Sequence, residues 1–171
     1  MNGRRGYPRP ADPDRPGPSA RERVLRLLGR REYSRSELTT KLSRWGHAPE
    51  EIEATLDALA ASDLQSDKRY AASQVRSRGA REGNRALRQR LGRQGVDIDV
   101  VDEAMTQLSA EGTRLVRLLE RNKQDLSDPV KRNRIVSRWL RRGFSWDEVR
   151  QAMRAVAAGE MPDVDPDAGS L

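Results

Sequence analysis

The sequence predicts an all-α protein built as three tandem three-helix repeats. Three observations carry that prediction. A glycine-centred pattern recurs at Gly46, Gly95 and Gly143, spaced 49 and 48 residues apart. A fixed period of that size marks stacked supersecondary units. Capping patterns stand directly before apolar runs of helical period, at Ser19-x-x-Glu22, Ser34-x-x-Glu37 and Ser145-x-x-Glu148. Aromatic residues are only 4% of the chain and period-two alternation is almost absent, which argues against a sheet.

Counting from each glycine separates two signals. Eight and four positions before it stand Leu38 and Leu42, Leu87 and Leu91, and Ile135 and Trp139. On a helix these positions lie about 40° apart and make one apolar stripe. A second apolar set follows the glycine: Ile52, Leu56 and Leu59; Val101, Met105 and Leu108; Val149, Met153 and Val156. Five and two positions before the glycine stand Lys41 and Arg44, Arg90 and Arg93, and Arg138 and Arg141. Those cations centre about 110° from the stripe and cannot be core. They form a basic flank on the middle helix of each unit. The glycine itself is read as a helix stop in the left-handed conformation.

In chain order, residues 1–18 hold five prolines, three glycines and four arginines, the composition of a disordered basic arm. Ser19 opens the first helix, which carries Val24, Leu25, Leu27 and Leu28 to about Arg31. Ser34 opens the second, Gly46 ends it, and Pro49 with Glu50 and Glu51 suits the first turn of the third. The first repeat is therefore placed at 19–63. In the second, at 64–108, Ser66 or Asp67 caps the helix of Tyr70, Ala71, Ala72 and Val75. Gly83-Asn84 breaks the chain before the helix of Leu87, and Asp97 or Asp99 caps the next. The third, at 109–157, carries Leu115, Val116, Leu118 and Leu119 on its first helix, and Asp128-Pro129 opens its middle one. Residues 158–171 read as an acidic disordered tail. Nine helices and no sheet are expected.

Charge is placed unevenly. The net charge is +7, and the last fourteen residues carry Glu160, Asp163, Asp165 and Asp167 with no base. Residues 1–157 therefore hold +11, the net charge with those four acids removed. Such a body favours a polyanionic or acidic partner, with binding that weakens as salt rises. The absence of cysteine excludes a disulfide framework and a thiol metal site and fits a cytoplasmic protein. No apolar run reaches the length of a membrane span, and no apolar segment follows the N-terminal arginines as in a signal peptide.

Catalytic constellations are missing from the pattern. His47 is the sole histidine and stands where Val96 and Phe144 stand in the other units, so it reads as a packing substitute. One histidine without cysteine supports neither a transition-metal site nor a histidine-based triad. Glu50 and Glu51, and Asp97 and Asp99, fall in caps and first turns. The chain is not read as an enzyme, and no cofactor is expected. Trp139 and Phe144 are placed in the core, Trp45 and Trp146 at its edge, and Tyr33 and Tyr70 between helices. In the second unit Arg85 and Arg88 extend the basic flank, and the preceding helix adds Arg76, Arg78 and Arg81.

The segments ARERVLRLLGRREYSRSELTTKLSRWG, RYAASQVRSR, RALRQRLGRQGVDIDVVDEAM and VSRWLRRGFSWDEVRQAM together resemble the RecX family, bacterial regulators of the RecA recombinase. The resemblance runs from about Ala20 to Ala157. Trp45, Gln94 and Arg142 stand where that family prefers a lysine, and Tyr70 where it usually has phenylalanine. The resemblance implies a curved, elongated array of three-helix repeats that binds along the groove of the RecA–DNA filament. It implies lowered ATP hydrolysis and strand exchange, and it brings no catalytic residues. The candidate filament or DNA contacts are then Lys41, Arg44, Arg76, Arg78, Arg81, Arg85, Arg88, Arg90, Arg93, Arg138, Arg141 and Arg142. The expected partner is the RecA nucleoprotein filament, with weak direct binding to single- or double-stranded DNA, and the expected state is a monomer away from membranes. A direct DNA binder of helix-turn-helix type is the alternative, since short helices joined by glycine turns describe that module too.

Overall fold

A computed structural model describes residues 17–160. The predicted basic arm and acidic tail lie outside them apart from Gly17, Pro18 and residues 158–160. Nine α-helices and no strand occur among the described residues. The first unit holds α1 (Ala20–Leu28), α2 (Arg35–Arg44) and α3 (Pro49–Ala61). The second holds α4 (Asp67–Arg78), α5 (Asn84–Arg93) and α6 (Ile98–Met105). The third holds α7 (Glu111–Glu120), α8 (Pro129–Arg141) and α9 (Trp146–Ala158), with a 3-10 turn at Lys123–Leu126 before α8.

Local chemistry places the helix ends. Ser19 and Ser34 each form a complete capping box, with Glu22 and Glu37 reaching back to the cap amide. Ser145 accepts from the Glu148 amide alone, because the Glu148 carboxylate lies against Gly112 of α7 instead. Ser66, Asp97 and Asp128 cap α4, α6 and α8, and proline takes the first position of α3 and α8. Gly46, Gly95 and Gly143 adopt φ of 83°, 71° and 89°, the left-handed stop that an L side chain resists.

Each unit has its own core, and the first helix packs on the third in all three. The six stripe residues Leu38, Leu42, Leu87, Leu91, Ile135 and Trp139 are all buried. Phe144 meets the Trp139 ring edge-on at 5.6 Å between centroids. Eight or nine buried apolar residues make up each core, so a unit of this size gains little margin by itself. Stability of the array depends on how the units join.

They join by one repeated seam, built on the residues at the start of each middle helix. At the first junction the Ser34 hydroxyl donates to the Gln94 carbonyl at 2.8 Å. At the second, the Gly83 amide donates to the Arg142 carbonyl at 2.9 Å. Ser34 and Gly83 are the caps of α2 and α5, and Gln94 and Arg142 both precede a repeat glycine. The next amide along is capped across the junction in the same way. Arg35 donates to Asp67 at 2.8 Å, and Asn84 donates to Glu111 at 2.9 Å. Both acids open the first helix of the following unit, so a carboxylate from one unit sits at the helix N-terminus of its neighbour. Gly95 and Gly143 thus have a second role beyond stopping a helix. A Cβ on Gly95 falls 2.8 Å from that of Ser36, and one on Gly143 overlaps the backbone of Ala86. In the third unit the corresponding position is Pro129, the first residue of α8, which has no N–H to donate as Arg35 and Asn84 do.

Arg114 reinforces the second junction. It is 5% exposed on α7 and donates to the carbonyls of Ser109 at 3.1 Å and Glu82 at 3.0 Å. It also donates to the Gly79 carbonyl and to Asn84 Oδ1. Burial pushes its guanidinium below the ordinary value, an effect opposed by Glu111 and Glu148. Arginine remains charged in spite of that, and four acceptors across two units share its fork.

Candidate functional site

The basic flank lies at the C-terminal ends of the middle helices, where cations also favour the helix dipole. Arg44, Arg93 and Arg141, two positions before each glycine, are exposed in all three units. None of the three makes an ion pair with a described residue. The position five before the glycine is less uniform. Lys41 is half-buried with its ammonium 5.7 Å from the Tyr33 ring, Arg90 is half-buried, and Arg138 is exposed.

The second unit divides its arginines sharply. Glu82 accepts from Arg78 at 3.2 Å and from Arg90 at 3.1 Å, so one carboxylate holds two of the candidates. Arg88 pairs with Asp102 of α6. These three have local structural partners, and their charge is partly neutralised. Arg76, Arg81 and Arg85 are exposed and make no ion pair with a described residue. Arg142 lies 5.0 Å over the Trp139 ring while remaining exposed.

The seam orders these groups. Because Gln94 meets the cap of α2 and Arg142 meets the cap of α5, the middle helices follow one another end to start. The α8 end bearing Arg138, Arg141 and Arg142 abuts the α5 start bearing Arg85. The α5 end bearing Arg93 abuts the α2 start in the same manner.

Several residues take places that the sequence pattern did not indicate. Trp45 and Trp146 are 43% and 56% exposed, not packed at the core edge. Trp45 is the C-cap of α2, with Arg23 4.9 Å over its ring. Trp146 is the first residue of α9, three positions before core contact begins at Val149, so it projects outward. It lines a groove of about 660 Å³ with Leu126, Val136 and Met153. His47 is half-buried and hydrogen-bonds through Nδ1 to Glu51 at 3.0 Å, unlike the buried Val96 and Phe144 at the same offset. Arg114, Arg117 and Arg121 were not marked by the repeat pattern, although their spacing of three and four puts them on one face of α7. No group of three histidine, cysteine or acidic residues among the described residues has the arrangement to hold a metal. No helix among them is long and apolar enough to cross a membrane.

Comparison with known proteins follows the same division into units. Residues 20–59 match the family model described as RecX, first three-helix domain, and residues 66–105 match RecX, second three-helix domain. A protein of Chromohalobacter salexigens named Regulatory protein RecX is 42% identical over 136 residues, which span 78% of this chain and 90% of that one. The Regulatory protein RecX of Chromobacterium violaceum is 34% identical over 80% of this chain and 90% of its own length. The crystal structure of RecX from Lactobacillus salivarius superposes with a TM-score of 0.66 over 81% of this chain and 95% of that one, and at 23% identity it speaks to the fold. Two family models in tandem and relatives this similar over nine-tenths of their length lead to one conclusion: the chain belongs to the RecX family of regulatory proteins.

Proposed function

We propose that this chain regulates the RecA recombinase by lodging in the groove of the RecA–DNA filament and lowering its ATP hydrolysis and strand exchange. It acts in the cytoplasm, in recombinational DNA repair and the SOS response, as a monomer. The observation that carries the reading is the recurrence of an exposed arginine, without an ion pair to any described residue, at the same offset in every unit: Arg44, Arg93 and Arg141. These residues lie on middle helices strung end to start by the seam. A filament groove repeats its acidic protein surface and phosphates at regular intervals, so a partner with regularly repeated cations suits it. The mechanism is steric: an array that spans several recombinase subunits opposes the movements that accompany ATP turnover. Residues 19–63, 64–108 and 109–157 are proposed as its three structural units.

Replacing Arg44, Arg93, Arg138 and Arg141 by glutamate together is expected to weaken filament binding about tenfold or more, since charges at an interface rim act through steering and repulsion. All four are exposed, so the fold should survive, as circular dichroism would verify. Filament inhibition that persists in this variant overturns the flank as the interface. The helix-turn-helix alternative predicts that bare DNA is bound as tightly as RecA filaments at moderate salt.

A further inference from the structure

A second basic feature lies off the repeat pattern. Between the second and third units is a cleft of about 520 Å³, within the size range of about 300–1,000 Å³ typical of ligand sites. Five arginines line it, namely Arg76, Arg81, Arg114, Arg117 and Arg121, and no carboxylate does. Arg76 is on α4 and Arg81 follows it, whereas Arg117 and Arg121 belong to α7 and its end, so the two units face each other with cations. None of these four makes an ion pair with a described residue. Arg114 adds a fifth positive charge that is held by carbonyls and the Asn84 amide oxygen. Val75, Leu108 and Leu118 contribute apolar walls, which focus the field of the arginines around them.

Like charges gathered on the two sides of one cleft repel, and a bound anion relieves that repulsion. A carboxylate-bearing protein segment offers charge only where an acidic residue stands. A phosphodiester chain offers one charge per nucleotide, together with sugar and base faces for an apolar wall, and a concave cleft admits a single strand more readily than a duplex. We propose that this cleft is a phosphodiester site, in which Arg76 and Arg81 on one side and Arg117 and Arg121 on the other hold consecutive phosphates of a single nucleic-acid strand. This deepens the filament reading, and rests on it for its setting, by assigning the phosphate contact to the unit junction and not to the flank beside the glycines. Because the four arginines come from two units, the strand also bridges the seam.

The test is binding of a fluorescent thymidine oligonucleotide of about sixteen nucleotides, the upper range of a single-strand site, followed by anisotropy between about 50 and 200 mM salt. The double variant R117Q/R121Q should lower the magnitude of the log–log salt slope by about 1.4, two phosphate contacts at about 0.7 each on single strands. The variant R21Q/R26Q removes the same charge from exposed positions of α1 and should leave the slope near that of the original chain. An unchanged slope in R117Q/R121Q, or an equal fall in R21Q/R26Q, overturns the cleft. Inhibition of RecA ATP hydrolysis by the same variants separates the two readings. A reduced slope with inhibition intact supports the cleft and places the recombinase contact elsewhere. Lost inhibition with an unchanged slope overturns it and assigns the cleft to acidic protein surface.

Discussion

Replacing Gly143 by alanine is expected to destabilise the protein by about 2–4 kcal/mol, whereas the same change at Gly46 costs only about 1 kcal/mol. Both residues have positive φ, 89° and 83°, so both substitutions meet the left-handed penalty for an L side chain. The difference is in what surrounds them. A Cβ on Gly46 finds nothing within 4 Å, but one on Gly143 overlaps the Ala86 backbone at the start of α5. Backbone cannot rotate away as a side chain can, so the third unit must shift on the second and strain the bond from Gly83 to Arg142. Gly95 should fall between the two, since its added Cβ meets the Ser36 side chain at 2.8 Å. Urea unfolding of the three variants measures the order. Equal losses at all three glycines would mean that they act only as helix stops and that the seam contributes nothing.

The second large effect is expected at Arg114. Its removal as Arg114→Ala should cost about 3 kcal/mol, because a hydrogen-bonded charge contributes about 1.5–3 kcal/mol and buried acceptors left without donors add to the loss. Arg114→Lys should rescue little, since one ammonium cannot reach the Gly79 and Glu82 carbonyls, the Asn84 amide and the Ser109 carbonyl together. The two substitutions are read by thermal unfolding, with hydrogen exchange at Gly83 and Asn84 reporting on the junction itself. Loss of protection confined to those amides marks a broken seam. A uniform loss through α7 and α9 would indicate a damaged core instead.

What was legible in the sequence follows from how far apart the interacting residues are. Ser19, Ser34 and Asp128 act within three positions of themselves, so caps could be read from spacing alone. The stripe of Leu38, Leu87 and Ile135 is a property of helical period, and all three are buried as the period requires. The seam was hidden because its partners lie far apart in the chain. Ser34 meets Gln94, and Asn84 meets Glu111, and neither pair leaves a trace in local periodicity. Gly83 looked like a chain break, yet it is the cap that takes the place of Ser34 in the next unit. The basic residues were legible as a class but not by role. Arg90 stands at a repeat offset and Arg78 on the preceding helix, and both share Glu82, whereas Arg93, three residues after Arg90, makes no ion pair with a described residue. Placement of Glu82 between those two arginines, and of Asp102 beside Arg88, separates structural cations from available ones.

The seam also bears on the function proposed above. An array whose units are held by backbone donors, carboxylate caps and close glycine contacts resists independent movement of its parts. A regulator that works by bracing a filament needs that stiffness, because it must oppose subunit motion without yielding to it. The most direct measurement is ATP hydrolysis by RecA on single-stranded DNA, with increasing amounts of this protein. Hydrolysis is expected to fall in a saturable manner, and the variant with Arg44, Arg93, Arg138 and Arg141 replaced by glutamate is expected to leave it near the uninhibited rate. Hydrolysis that continues unchanged at saturating protein would contradict regulation of RecA by this chain.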